Sequence, residues 1–169
     1  TIAAIMLETV VGTNGVLVPP PGYLAGVRRL CDPYGIVFIL DEVMAGFGRV
    51  GEWFAFQAYD AVPDLVTFAK GVNSGYVPLG GVVISDAIAR YFDDKVFFGG
   101  LTSSGHPLAC AVGVATFEVF RRDGVLEHVR DLGERVVGPR LTSWVERHPS
   151  VGEVRGRGLF WAGELVRDA

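Results

Sequence analysis

Short apolar runs alternate along the chain with segments whose apolar residues recur at helical spacing. The runs occupy residues 2–7, 36–40, 65–69 and 81–84. Runs of this length, bounded by glycine and proline, are typical of buried strands. Between the first two runs, apolar positions recur every three to four residues over 24–31, which predicts a helix. Strands that alternate with helices predict an α/β architecture with a mostly parallel sheet.

The second half of the chain is predicted to be helical and then to form a hairpin. A helix is expected over 106–122, with proline in its first turn, and its apolar residues lie nearly all round, so we expect it to be buried. An amphipathic helix follows over 125–148, and the pattern over 151–165 predicts a β-hairpin. The change of pattern after residue 122 indicates a second, smaller domain. Because the chain opens on one apolar run and stops just after another, we expect it to be a fragment of a longer protein.

Composition narrows the classes of function. Half of the residues are hydrophobic, a fifth are charged and the net charge is −4, as in a folded globular protein without a nucleic-acid surface. The arginine pairs at 28–29 and 121–122 fit solvated helix faces. Cys31 and Cys110 lie far apart in apolar helical surroundings, so we expect buried free thiols and a reducing, cytoplasmic compartment. The histidines share no ligand-like spacing and no apolar run is long enough to span a membrane, so neither a metal site nor a membrane partner is expected.

Two of the predicted strands end on residues that can carry chemistry, Asp41 and Lys70. Taken singly, each fits a charge that leaves the core for water. In an open α/β sheet, however, ligands bind at the carboxyl ends of the strands, and a glycine-containing loop follows each of these residues. A lysine amine can act as a nucleophile, and a carboxylate can pair with a cationic heterocycle. Pyridoxal 5'-phosphate (PLP) requires both groups, so the pair indicates a PLP site.

Several spaced motifs make this indication specific. They are Leu40-Asp41-Glu42-Val43, the stretch 46–51, the stretch 63–71, Gly80-Gly81 and the stretch 100–109. In this order they resemble the signature of class III aminotransferases, and the resemblance covers nearly the whole chain. It implies PLP-dependent transferase fold type I, similar to aspartate aminotransferase, with helices on both faces of the sheet. Residues 1–122 would then be part of the large PLP-binding domain, and 123–169 the start of the small C-terminal domain.

The resemblance also implies roles for five residues. Lys70 would carry the cofactor as a Schiff base, and Asp41 would bind its pyridine nitrogen. Val43 would pack against one face of the ring, which is compatible with an ordinary core valine. Thr102 would contact the cofactor phosphate across the interface of a homodimer; alone, it would fit an ordinary loop or cap threonine. Glu8 matches an acidic residue near the family's active site and equally fits a charge at a strand end.

The function implied is a PLP-dependent aminotransferase. It would move an amino group from an amine or ω-amino acid donor to a keto acid such as pyruvate. Met44 stands where many relatives have Gln, so we do not expect its side chain to hydrogen-bond the cofactor's ring hydroxyl. Thr13 replaces a second acidic residue of 4-aminobutyrate- and ornithine-type relatives; with Trp53-Phe54 it resembles the ω-amino acid:pyruvate branch. The alternatives are another PLP reaction of the family, an aminomutase or a decarboxylase, and a non-catalytic α/β binding module.

Overall fold

The computed structural model describes residues 1–167, which form two sheets and five α-helices. The strands are β1 (Ala4–Glu8), β2 (Val37–Asp41), β3 (Leu65–Phe68), β4 (Gly81–Ile84), β5 (Val151–Arg157) and β6 (Phe160–Leu165). The α-helices are α1 (Tyr23–Cys31), α2 (Asp86–Tyr91), α3 (Pro107–Arg122), α4 (Val125–Leu132) and α5 (Gly138–Arg147). Single helical turns of 3₁₀ type occupy Asp32–Tyr34, Ala55–Ala58 and Lys70–Val72, and a π turn at Gly133–Val137 joins α4 to α5. None of the helices within residues 1–167 has the length and apolar character to cross a bilayer.

The first four strands form one sheet in the order β1-β2-β3-β4. β1, β2 and β3 are parallel, whereas β4 runs antiparallel to β3. The predicted α/β architecture with a mostly parallel sheet is confirmed, and the four predicted strands differ from the observed ones only at their ends. Because β1, β2 and β3 point the same way, their carboxyl ends meet at one edge of the sheet.

One face of the sheet is covered by α1. Leu24 and Cys31 of this helix pack with Phe38, Leu40 and Ala61 in a buried cluster. The opposite face of the sheet is more open within the described residues: Met6 and Val82 are each 53% exposed. Helices were expected on both faces of the sheet, and residues 1–167 provide the helix on one of them. Asp41 lies on the open face, because side chains alternate along a strand and its neighbour Leu40 is in the cluster under α1.

An ion pair fixes α1 to the sheet. Arg28 Nη1 donates a 2.8 Å hydrogen bond to Asp64 Oδ2, and the same carboxylate oxygen accepts from the Phe38 backbone N–H at 2.7 Å. The expectation that Arg28 lies on a solvated helix face is therefore wrong, because its partner Asp64 lies 36 residues away in the sequence and only the fold brings the two together.

The C-terminal hairpin and α4 contact the loops that follow β1 and β2. Phe160 of β6 belongs to a buried cluster with Val10, Val16, Ala45, Val50 and Ala55. Arg155 Nε donates to the Gly15 carbonyl at 2.7 Å, and Arg130 Nη1 donates to the Gly51 carbonyl at 2.5 Å. The predicted hairpin is confirmed, and the long helix predicted over 125–148 is confirmed as α4, the π turn and α5.

The helix α3 begins and ends where the sequence predicts but is not buried in residues 1–167. Only Ala109 and Gly113 are buried, whereas Leu108 and Val114 are 58% and 59% exposed. Cys110 on the same helix is exposed, so the expectation of two buried thiols holds only for Cys31. An apolar pattern reports what a helix is able to bury, and burial itself requires a packing partner on each face.

Candidate active site

The carboxyl ends of β1, β2 and β3 form a row of three polar residues. Glu8 and Asp41 are Cα partners in the β1–β2 register, and Asp41 and Thr67 are Cα partners in the β2–β3 register. Residues that are paired directly across neighbouring strands project from the same face of a sheet. The structure therefore aligns the predicted site residues Glu8 and Asp41 and adds Thr67, which the sequence analysis did not single out.

Two of the three side chains in this row are held by backbone donors. Asp41 is half-buried, and its Oδ1 accepts a 2.9 Å hydrogen bond from the Val43 backbone N–H. Glu8 Oε2 accepts a 2.9 Å hydrogen bond from the backbone N–H of Gly12. Val43 is thus brought beside Asp41, and its side chain is half-buried. These bonds fix the carboxylates at the edge of the sheet.

Thr67 differs from the two carboxylates because its hydroxyl makes no hydrogen bond to the described residues. Its Oγ1 is buried and has no hydrogen-bond partner within residues 1–167. A buried hydroxyl without a partner is costly, so it is a position that suits a further polar group. The row Glu8-Asp41-Thr67 can therefore accept a polar ligand at the carboxyl edge.

Lys70 follows β3 by two residues and opens the 3₁₀ turn Lys70–Val72. Its φ is +38°, in the left-handed region that residues other than glycine rarely adopt. Such strain persists only where the surroundings enforce it, and it is frequent at functional sites. The Lys70 side chain is exposed within the described residues and borders a cavity of about 420 Å³. The other lining residues are Arg49, Gly71, Ser74 and Gly75.

Thr102 lies in an exposed loop before α3 and is not part of the row at the strand ends. Neighbouring residues of the same loop line one side of a cleft of about 500 Å³, and residues 77–80 line the other. The structure thus brings Asp41, Glu8 and Lys70 to one edge of the sheet, and leaves Thr102 at the surface of the chain.

Met44 is half-buried and packs against the hydrophobic core. It lies against the buried cluster that contains Val10 and Ala45. A Cβ added to Gly12 would overlap its side chain, so Gly12 is the residue that makes room for it. A thioether is only a weak hydrogen-bond acceptor.

A buried carboxylate, Glu42, lies directly after Asp41. Glu42 is fully buried, and its two oxygens accept from the Thr9 hydroxyl at 2.5 Å and from the backbone N–H groups of Ala55 and Phe56 at 2.8 and 2.9 Å. Burial raises the pKa of Glu42, although the three hydrogen bonds and nearby groups act on it as well. Glu42 belongs to the motif Leu40-Asp41-Glu42-Val43, but its partner Thr9 lies 33 residues away in the sequence, and no local pattern indicates the pair.

The residues at this edge fit PLP. A lysine amine and a carboxylate lie at the carboxyl ends of adjacent strands, and the unpartnered Thr67 hydroxyl beside Asp41 leaves room for a polar ligand. No group of three or more His, Cys, Asp or Glu residues within 1–167 could hold a metal ion. The lysine amine and the carboxylate are the two groups that favour an aldehyde cofactor with a cationic ring.

Comparison with known proteins agrees with this donor set. The class-III aminotransferase family profile matches residues 1–169, so the chain belongs to the class III aminotransferase family. A taurine:2-oxoglutarate aminotransferase from Bifidobacterium kashiwanohense, solved with PLP and glutamate, is 55% identical with a TM-score of 0.95, over 98% of this chain and 37% of that chain. An (S)-enantioselective ω-transaminase from Thermomicrobium roseum is 47% identical with a TM-score of 0.92, over 99% of this chain and 37% of that chain.

A curated relative is also an aminotransferase. The putrescine–pyruvate aminotransferase of Pseudomonas aeruginosa is 42% identical over 168 residues, which are 99% of this chain and 37% of the relative. The chain thus spans little more than a third of the length of these proteins. Its fold is that of PLP-dependent transaminases, as the sequence predicts.

Proposed function

We propose that this chain carries the cofactor-binding lysine and aspartate of a PLP-dependent aminotransferase. The observation that carries the proposal is the placement of Asp41 and Lys70 at the carboxyl ends of the adjacent parallel strands β2 and β3. In the longer protein, residues 1–122 would belong to the large PLP-binding domain and 123–169 would begin the small domain. The free, buried Cys31 is compatible with a reducing, cytoplasmic compartment.

Each residue has a distinct task in this proposal. When bound, PLP supplies an aldehyde and a cationic pyridine ring that withdraws electrons from the reacting carbon. Lys70 would hold the aldehyde group through its amine, and its free amine would act as the base that moves the proton of the substrate α-carbon. Asp41, held by the Val43 N–H, keeps the proton on the ring nitrogen through its negative charge. Val43 would pack against the ring, and Glu8 would lie near the substrate.

The proposed enzyme is a homodimer in which Thr102 serves the partner's site. Thr102 lies in an exposed loop and is not a member of the row Glu8-Asp41-Thr67, which is compatible with a role in a second subunit. Its hydroxyl, just before the N-terminus of α3, would bind the cofactor phosphate. A two-fold interface would then build two equivalent sites.

The substrates proposed are an amine or ω-amino acid donor and a keto acid acceptor. Two of the relatives use different acceptors: pyruvate in the P. aeruginosa enzyme and 2-oxoglutarate in the B. kashiwanohense enzyme. We propose pyruvate, because Thr13 and Trp53 resemble the pyruvate branch. The higher identity of the 2-oxoglutarate enzyme makes a direct comparison of the two acceptors necessary.

Two measurements on the full-length protein test the proposal. Borohydride reduction of the PLP-loaded protein, followed by peptide mapping, is expected to place the pyridoxyl label on Lys70; Lys95, the only other lysine here, is the internal control. A label on Lys95 or outside this chain would overturn the assignment. An amine-donor panel with pyruvate and 2-oxoglutarate as competing acceptors should then give carbonyl products without release of carbon dioxide. Carbon dioxide release would instead indicate a decarboxylase.

A further inference from the structure

A second pair of residues, Thr9 and Glu42, directly follows the carboxylates Glu8 and Asp41 in the chain. Thr9 and Glu42 are the next residues along the chain, and both are buried, with exposed fractions of 1% and 0%. Because successive side chains along an extended chain point to opposite faces, Glu8 and Asp41 share the open face while Thr9 and Glu42 turn inward. The 2.5 Å hydrogen bond between the Thr9 hydroxyl and Glu42 Oε1 therefore joins β1 to β2 immediately beyond their last backbone pair.

Four hydrogen bonds hold Glu42 in place. Its side chain accepts from Thr9, Ala55 and Phe56, and its backbone N–H donates to the Thr67 carbonyl at 2.9 Å. It thus connects β1, β2, β3 and the 3₁₀ turn Ala55–Ala58 at the one edge where the site residues lie. Asp41 directly precedes Glu42, so these bonds fix the chain immediately after Asp41.

A buried carboxylate is a costly way to hold a loop. Burial is the largest cause that raises the pKa of Glu42; the three hydrogen bonds lower it, and the negative charge of Asp41 raises it further. Apolar residues of similar size often stabilise a protein as well as or better than buried ionic groups, and buried polar groups give geometric specificity in some systems. Glu42 fixes the position of two segments relative to each other, because its side chain accepts hydrogen bonds from Thr9 on one segment and from Ala55 and Phe56 on the other.

We propose that Thr9 and Glu42 are positioning residues that set the orientation of Asp41 toward the cofactor ring. This inference rests on the proposed function. Loss of the Thr9–Glu42 bond would allow the ends of β1 and β2 to shift, and the Asp41 carboxylate with them. The expected consequence is weaker PLP binding and an altered charge environment at the ring, beyond any loss of stability.

The test uses the full-length protein with three substitutions at threonine. Thr9→Val keeps the shape but removes the hydroxyl, Thr9→Ser keeps the hydroxyl, and Thr142→Val makes the same chemical change at an exposed position of α5. Three quantities are measured for each: the urea unfolding free energy of the apoprotein, the PLP dissociation constant, and the pH midpoint of the bound cofactor's visible absorbance.

Thr9→Val is expected to weaken PLP binding roughly tenfold, as for the loss of a hydrogen bond to a carboxylate. It is also expected to move the absorbance midpoint, whereas Thr9→Ser should remain within about twofold of wild type in PLP affinity. Thr142→Val should match wild type throughout. Glu42→Gln, which keeps the side-chain volume, provides the same test if Thr9→Val yields no folded protein.

Two different failures are distinguishable. A Thr9→Val protein that unfolds more easily but has an unchanged dissociation constant and absorbance midpoint would overturn the positioning role, because a purely structural bond changes only the first quantity. Failure of the wild-type protein to bind PLP at all would overturn the proposed function itself, and this inference with it.

Discussion

Gly71 and Phe47 approach each other so closely that a Cβ added to Gly71 would lie 2.8 Å from the Phe47 Cβ. The same added atom would lie 3.2 Å from the Gly46 carbonyl oxygen, so the glycine-rich loop after β2 crosses the chain immediately after Lys70. Phe47 itself has a φ of +54°, and its ring contacts those of Phe54, Phe68 and Phe117. The loop is thus anchored by aromatic packing, and it holds the turn that presents Lys70.

Gly71→Ala is therefore expected to displace the Lys70 turn. The added methyl group meets a Cβ and two backbone oxygens, which cannot move aside as the end of a flexible side chain can. Overpacking of this kind costs about 1–3 kcal/mol of unfolding free energy. We expect this loss in urea unfolding and a smaller fraction of Lys70 labelled by borohydride. Gly163→Ala is the matched control, because its Cβ would meet only Val154 Cγ2, at 3.9 Å. Equal behaviour of the two variants would contradict the close packing at Gly71.

Asp41→Asn should keep some cofactor bound while slowing proton abstraction. The neutral amide no longer stabilises the charged ring nitrogen, so the reacting carbon loses its electron-withdrawing partner. Loss of one such electrostatic interaction costs on the order of a hundredfold or more in rate. Single-turnover kinetics with an amine donor measure this step. Asp60→Asn, an exposed aspartate after the Ala55–Ala58 turn, serves as the control. A near-normal half-reaction rate in Asp41→Asn would refute the role of the carboxylate.

Glu42→Gln should change how stability depends on pH. Burial raises the pKa of Glu42 above its value in the unfolded chain, so its contribution to stability is full below the unfolded pKa and is lost as the pH rises through the folded pKa. Glutamine does not titrate. The unfolding free energy of wild type relative to Glu42→Gln is therefore expected to fall with rising pH over that window and then level off. Urea unfolding of the two apoproteins over a pH series measures the difference.

The titratable groups next to Glu42 are the same in the wild type and in Glu42→Gln. Asp41 and Tyr59 are the charged or titratable side chains that act on Glu42 or feel its charge, and both are present in wild type and variant. A difference in unfolding free energy that stays constant or grows with pH would show that Glu42 is not a carboxyl group with a raised pKa.

Thr102 is expected to act in the partner's site. Lys70→Ala and Thr102→Asp should each be inactive, the second because its negative charge opposes the cofactor phosphate. Mixing the two inactive proteins gives heterodimers with one site that carries both changes and one that carries neither, so up to half of the sites in each heterodimer regain activity. The rate of amine conversion after subunit exchange measures this. If exchange is demonstrated and activity does not return, Thr102 serves its own chain or no site.

Local patterns in the sequence were sufficient to locate the strands and the hairpin, and to place Asp41 and Lys70 at the ends of strands. The apolar runs end within one residue of the ends of β2 and β3, so Asp41 and Lys70, which follow the runs, lie at the carboxyl edge of the sheet. This information is local because hydrophobic periodicity and the residues that break it act over a few neighbours.

Only the tertiary structure decided which residues meet at that edge. The register that aligns Glu8, Asp41 and Thr67, the burial of Glu42 against Thr9 and the left-handed backbone at Lys70 all depend on contacts between distant segments. The same holds for α3, whose pattern predicted burial but whose apolar face is exposed within residues 1–167. A sequence pattern records the apolar surface that an element is able to bury, whereas the pairing of strands and the packing of neighbours determine what it buries.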